Sequence, residues 1–265
     1  MDVLARNNVR LTGRADGPPM VFAHGFGCDQ GMWRFVAPEF EDTHHVALFD
    51  HVGAGGSDVA AFDAARYSSL DGYAADVVQI LDALALGPVT FVGHSVSSMI
   101  GLLAAKQRPE LFDRLVLVGP SPRYIDDHGY RGGFTQVEID ELLETMEDNY
   151  LGWSAHVAPV IMGNPGRPEL GEELTDSFCR MDPAIARTFA RTTFLSDNRA
   201  DLPAVATPSL VVQCRDDVIA PIEVGTYVHE HLPSSEMVVL DAIGHCPNLS
   251  APAALVDAMK AYLPA

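Results

Sequence analysis

The stretch Val89-Thr90-Phe91-Val92-Gly93-His94-Ser95-Val96-Ser97-Ser98-Met99-Ile100-Gly101-Leu102-Leu103-Ala104 decides how the chain is read. A short strand-forming run enters Gly-His-Ser-Val-Ser directly, and an apolar helical pattern follows at once. Strand, tight turn and helix in that order push the turn serine out of the sheet, with its hydroxyl exposed at the carboxyl end of the strand. The flanking residues must be small, because strand and helix approach each other closely there. The usual spacing is G-x-S-x-G; this chain carries Ser97 in place of the last glycine. By itself the pattern also fits a serine that merely caps a helix. The strand before it and the helix after it favour an exposed nucleophile.

On either side of it, Met20-Val21-Phe22-Ala23, Val46-Ala47-Leu48-Phe49, Leu115-Val116-Leu117-Val118, Leu210-Val211-Val212 and Met237-Val238-Val239-Leu240 also read as buried strands. Continuous apolar strands suit a parallel sheet covered on both faces. Leu70, Tyr73, Ala74, Val77, Ile80, Leu81 and Leu84 recur at helical spacing, and Gly87-Pro88 ends that helix. Such alternation predicts an α/β fold with right-handed crossovers. Between about Arg123 and Asn198 the alternation stops. Helices are expected at Glu138–Tyr150 and Ala184–Leu195, punctuated by Asn164-Pro165-Gly166 and Met181-Asp182-Pro183. That stretch is too long for a plain loop. It reads as a helical lid, residues 123–197, inserted into a core made of residues 1–122 and 198–265.

Composition narrows the function. The chain has 265 residues, with 36 acidic and 17 basic side chains and a formal net charge of −19. A surface that negative repels phosphate backbones and anionic lipid, so neither a nucleic-acid partner nor a peripheral membrane role is expected. No apolar run approaches the roughly 20 residues of a membrane span. No targeting pattern is read at the start, and the four cysteines are dispersed without metal-site spacing, so a reduced, cytoplasmic setting is expected. Only Lys106 and Lys260 are lysines; arginine-rich codon usage accounts for this more simply than salt adaptation.

A serine hydroxyl needs a base, and the base needs an orienting acid. In this fold class they follow in the order serine, acid, histidine. His245, in Gly244-His245-Cys246 just past the last strand, falls at the same sheet edge as Ser95. Asp216 and Asp217 follow the strand Leu210–Gln213; one of them can reach His245, and spacing does not choose between them. His94 adjoins the serine but faces elsewhere, and His24 reads as structural. His44, His45 and His51 do not have the spacing of a zinc site. Two backbone donors for a developing oxyanion are expected at Val96 and, from the glycine-bearing loop His24-Gly25-Phe26-Gly27, at Phe26.

These stretches, with Phe49-Asp50-His51-Val52-Gly53-Ala54-Gly55, Val118-Gly119-Pro120-Ser121-Pro122-Arg123-Tyr124, Gly132-Gly133-Phe134, Asn149-Tyr150-Leu151-Gly152-Trp153 and Asp182-Pro183-Ala184-Ile185-Ala186-Arg187, resemble the α/β-hydrolase superfamily. Within it the chain is similar to the branch holding the bacterial stress-response hydrolase RsbQ and the plant strigolactone and karrikin receptors. The resemblance implies Asp217, ahead of Ala220-Pro221, as the acid, and a four-helix lid over a small apolar pocket lined by Phe26, Phe134, Leu142, Trp153, Val157, Phe194 and Ile219. Val157 and Leu174 stand where the plant receptors often carry phenylalanine, which implies a differently shaped pocket. The implied activity is hydrolysis of a small apolar ester or lactone by Ser95, His245 and Asp217, with no cofactor or metal. The alternatives are a ligand-sensing module that contacts a PAS-containing phosphatase through its lid, or C–C bond hydrolysis or cofactor-free haloperoxidase chemistry on the same fold.

Overall fold

In the computed structural model, which describes residues 2–264, seven strands form one sheet in the order β1-β3-β2-β4-β5-β6-β7. The strands are β1 Arg10–Gly13, β2 Pro19–Ala23, β3 His45–Phe49, β4 Val89–His94, β5 Phe112–Val118, β6 Ser209–Asp216 and β7 Ser235–Ile243. All neighbours run parallel except β1, which pairs antiparallel with β3. The six expected strands are present. β4 is buried at every residue, as befits a central parallel strand covered on both faces. Strand β1 carries no apolar run: Arg10-Leu11-Thr12-Gly13 lies on an edge and is largely exposed. Such an edge needs no core-facing pattern, which is why periodicity missed it.

Ten helices accompany the sheet among the described residues: α1 Val3–Arg6, α2 Leu70–Leu84, α3 Val96–Gln107, α4 Gln136–Asp148, α5 Tyr150–Met162, α6 Pro168–Cys179, α7 Pro183–Phe194, α8 Ile222–His231, α9 Pro247–Ser250 and α10 Pro252–Tyr262. Helix α2 presents Leu70, Tyr73, Ala74, Val77, Ile80 and Leu81 to the interior, as its spacing predicts, and ends on Ala85 in the left-handed region. Helices α2 and α3 pack together, and α8 and α10 cover β6 and β7. No helix among the described residues is long and apolar enough to cross a membrane.

Helices α4 to α7 form the lid between β5 and β6. The first lid helix begins at Gln136, earlier than expected, because Thr135 and Glu138 form a capping box. It ends at Asp148, and the expected continuation to Tyr150 is not observed. Asn149 turns out of the helix and accepts the Gly152 N–H at 3.0 Å, so Tyr150 opens the next helix instead. Side chains tie the lid to the core: Ser177 Oγ donates to the Gly27 carbonyl at 2.8 Å, and Thr192 Oγ1 to the Tyr67 carbonyl at 2.9 Å.

The C-terminal end of α5 lies against the segment Ile243-Gly244-His245. Gly244 has φ +87°, and a β-carbon there would collide with the Met162 carbonyl. Replacing Gly244 by Ala combines overpacking with left-handed strain, so the melting temperature is expected to fall by several degrees, for a loss of about 1–3 kcal/mol. Calorimetry of the variant measures this; an unchanged melting temperature would mean that the lid does not seat so closely on this segment.

Candidate active site

Six parallel strands deliver their carboxyl ends to one edge of the sheet, which is where ligands meet such sheets. Ser95 follows β4 with φ 57° and ψ −123°, a conformation that non-glycine residues seldom adopt. Its N–H donates to the Val118 carbonyl at 2.7 Å. Gly93 is required because a β-carbon there would meet the Ser97 backbone carbonyl.

The Ser95 hydroxyl lies 2.7 Å from His245 Nε2, and His245 Nδ1 lies 2.7 Å from Asp217 Oδ2. All three residues are buried. The other Asp217 oxygen accepts the N–H groups of Ile219 at 2.8 Å and Ala220 at 3.0 Å. Burial works against ionisation of Asp217, but the neighbouring His245, its hydrogen bond and the two backbone donors outweigh it, and the carboxyl sits below its ordinary range. Asp216, by contrast, is exposed and takes part only through its carbonyl, which accepts the Gly244 N–H. Of the two aspartates, Asp217 is the one whose carboxylate lies within hydrogen-bond distance of His245.

Loop 24–27 follows β2 and crosses beside the serine. A β-carbon on Gly25 would fall 2.5 Å from His94 Nδ1 and 3.4 Å from the Ser95 β-carbon, so only glycine fits. Among the described residues, neither the Phe26 nor the Val96 N–H has a protein acceptor. Phe26 is anchored by edge-on packing against Phe178 at 5.5 Å and Phe189 at 5.6 Å.

The remaining histidines have other duties. His94 Nε2 donates to the His245 carbonyl at 2.7 Å, and burial, with the His245 ring, pushes its imidazole down to about 3. It therefore stays neutral and holds the backbone of His245 rather than acting as a base. His24 Nδ1 donates to the Gly25 carbonyl at 2.8 Å. His44 pairs with Thr43 Oγ1, and His51 turns inward to Ser97, so the three histidines near β3 do not converge on one point. No group of three possible metal ligands gathers among the described residues.

Above Ser95 and His245 lies a cavity of ≈ 30 Å³, room for one or two waters. Of the residues expected at a pocket, Phe26, Phe194 and Ile219 line it. Trp153 stands behind them, stacked on Phe178 at 5.8 Å. Phe134, Leu142 and Val157 pack against the core and lie outside the lining. Leu174, Ile161 and Phe178 from the lid complete the apolar wall, and Thr193 adds a hydroxyl. Sequence reasoning missed Ile161, Phe178 and Thr193, and also Cys28, Tyr124 and Cys246. Burial pushes the Cys28 thiol up to about 12 and the Cys246 thiol well above its usual value, so neither is a thiolate at neutral pH. Burial likewise pushes the Tyr124 phenol up to about 12, against the pull of the nearby Ser95 side chain.

Comparison with known proteins decides the family. The model of the alpha/beta hydrolase fold matches residues 18–158. The chain belongs to the α/β-hydrolase family. A second family model, described as TAP-like protein, matches residues 185–265. The strigolactone esterase D14 of Arabidopsis thaliana is 40% identical over 99% of this α/β-hydrolase chain and 98% of its own length. The karrikin insensitive 2 receptor CA of Petunia hybrida is 38% identical, covering 97% of this chain and 95% of its own. A hydrolase from Oleispira antarctica superposes with a TM-score of 0.96 at 42% identity, over 98% of this chain and 96% of that one.

The lowered Asp217 carboxyl makes a pH prediction. Its contribution to stability is complete above the ordinary carboxylate value near 3.9 and is lost as pH falls through the depressed folded-state value. The stability difference between the wild type and Asp217→Asn is therefore expected to shrink as pH is lowered from about 5 towards 3. Urea unfolding across that range measures it; a constant difference would mean that Asp217 is not held ionised by this site.

Proposed function

We propose that the chain is a serine hydrolase of small, largely apolar carboxylic esters or lactones. The observation that carries this reading is the continuous line from Ser95 Oγ through His245 to Asp217, with both hydrogen bonds at 2.7 Å. Ser95 attacks the carbonyl carbon while His245 Nε2 takes its proton, and Asp217 holds the Nδ1–H tautomer and the imidazolium that forms. The oxyanion settles on the N–H groups of Phe26 and Val96; one such donor contributes about 2.7–4 kcal/mol. His245 then returns the proton to the departing alkoxide, leaving an acyl-serine. Water repeats the cycle from the other side and releases the acid.

Substrate class follows from the walls. Phe26, Phe194, Ile219, Ile161, Leu174 and Phe178 offer no countercharge for an anion, and the acidic exterior repels one. A cavity of ≈ 30 Å³ is far below the roughly 300–1,000 Å³ of ordinary ligand pockets. Substrate therefore enters with a shift of the lid, which we take to be residues 123–197 over a core of 1–122 and 198–265.

A second reading is a ligand sensor with slow turnover, in which the lid contacts a partner such as a PAS-containing phosphatase. It is favoured by one observation: the Ile161 carbonyl of α5 accepts the His245 N–H at 2.9 Å, so the lid and the base share a contact. Relatives named as receptors support it too.

Turnover of p-nitrophenyl acetate and butyrate tests the hydrolase. Ser95→Ala is expected to lower kcat by about 10⁴–10⁶, and Asp217→Asn by about 10³–10⁴, while Asp216→Asn stays within about twofold. Retained turnover in Ser95→Ala would remove the serine from the mechanism. Turnover slower than about one per minute on every short ester, with lid-dependent capture of the phosphatase, would favour the sensor.

A further inference from the structure

Ser97 stands where the usual motif has glycine, and its hydroxyl is fully buried in a chain of hydrogen bonds. It donates to the His24 carbonyl, and it lies 2.7 Å from His51 Nε2. The proton positions follow. A carbonyl only accepts, so the single Ser97 proton points at His24, and the Ser97 oxygen must accept from His51 Nε2–H. The backbone N–H of His51 donates in turn to His24 Nε2 at 3.0 Å, which places the His24 proton on Nδ1, where it meets the Gly25 carbonyl at 2.8 Å. His51 Nδ1 is left as a buried lone pair with no partner among the described residues. Burial, helped by the His24 ring, keeps this imidazole neutral.

Three segments meet in this cluster: loop 24–27 after β2, His51 after β3, and the first turn of α3. Two of them carry the free donors, Phe26 N–H on the loop and Val96 N–H on the helix. We infer that His51 and Ser97 are positioning residues that lock loop 24–27 to the first turn of α3 and so set the spacing between the two oxyanion donors. A glycine at position 97 allows the close approach of strand and helix but cannot hold the loop. Serine is small enough to allow the same approach, and its hydroxyl also holds the loop. The ring of His51 is itself fixed, edge-on to Tyr73 at 5.6 Å and to Phe189 of the lid at 5.9 Å. The inference rests on the hydrolase reading for its catalytic consequence, and on geometry alone for the lock.

Two measurements on the full chain test it. Hydrogen exchange of the peptide spanning His24–Cys28 reports the lock whether or not the protein turns over esters. It is expected to quicken about fivefold or more in Ser97→Ala and in His51→Phe, which keeps ring bulk without a donor, and to stay near wild type in His51→Gln, whose amide nitrogen replaces Nε2–H. Steady-state kinetics on p-nitrophenyl acetate report the consequence. In the first two variants kcat is expected to fall about 10- to 100-fold with KM within about threefold, less than the loss of a whole oxyanion donor, and His51→Gln is expected to restore it. Unchanged exchange in both Ser97→Ala and His51→Phe would overturn the lock. Faster exchange with kcat intact, or a rise in KM alone, would overturn the positioning role. A wild-type protein without Ser95-dependent turnover would instead refute the hydrolase reading, and the exchange data would still decide the lock.

Discussion

Ser95 is held at φ 57° and ψ −123°, and the architecture around it serves that one backbone constraint. A residue so placed costs about 1–3 kcal/mol and persists only where its surroundings over-determine it. Here the surroundings are a fully buried strand, β4, and a helix, α3, buried along most of its length. Gly93 lets strand and helix close, the Val118 carbonyl holds the Ser95 N–H, and the turn aims the hydroxyl out of the sheet. Once the hydroxyl is there, the ends of β6 and β7 bring the carboxylate and imidazole to it.

Much of this was legible in the sequence because it depends on local order. A strand, a turn of small residues and a helix are contiguous, and so are the apolar runs that build the parallel sheet. His245 was legible by position, since the end of the last strand must fall at the same edge as Ser95. What residue pattern alone left open depends on turn geometry, on contacts between distant segments, or on an exposed edge. Asp216 and Asp217 are neighbours in sequence, and only the turn after β6, where Ile219 and Ala220 grip one carboxylate oxygen, separates a buried acid from an exposed one. His51 and Ser97 are 46 residues apart, and no spacing pattern links them. Strand β1 escaped because an exposed edge carries no core pattern.

The cavity wall shows the limit of likeness as a guide. Phe26, Phe194 and Ile219 border the cavity, but Phe134, Leu142 and Val157 do not, and the wall is finished by Leu174, Phe178 and Ile161. Apolar side chains on amphipathic lid helices have two available destinations, the cavity or the helix–helix contacts, and sequence pattern does not distinguish them. Charge is partitioned in the same way. Most ion pairs are at least partly exposed and add little to stability, while the most deeply buried carboxylates have defined partners: Asp217 in the site, Asp50 against backbone N–H groups, and Asp76 between Arg6, Arg66 and Tyr67. The acidic exterior and the apolar cavity are thus separate features of one chain.

The proposed role of Ser95 as a nucleophile made reactive by His245 is measured most directly by covalent labelling with a fluorophosphonate, followed by peptide mass spectrometry. A single adduct on Ser95 is expected, absent from Ser95→Ala and formed far more slowly in His245→Ala. An adduct on another residue, or labelling that proceeds at the same rate without His245, would contradict it.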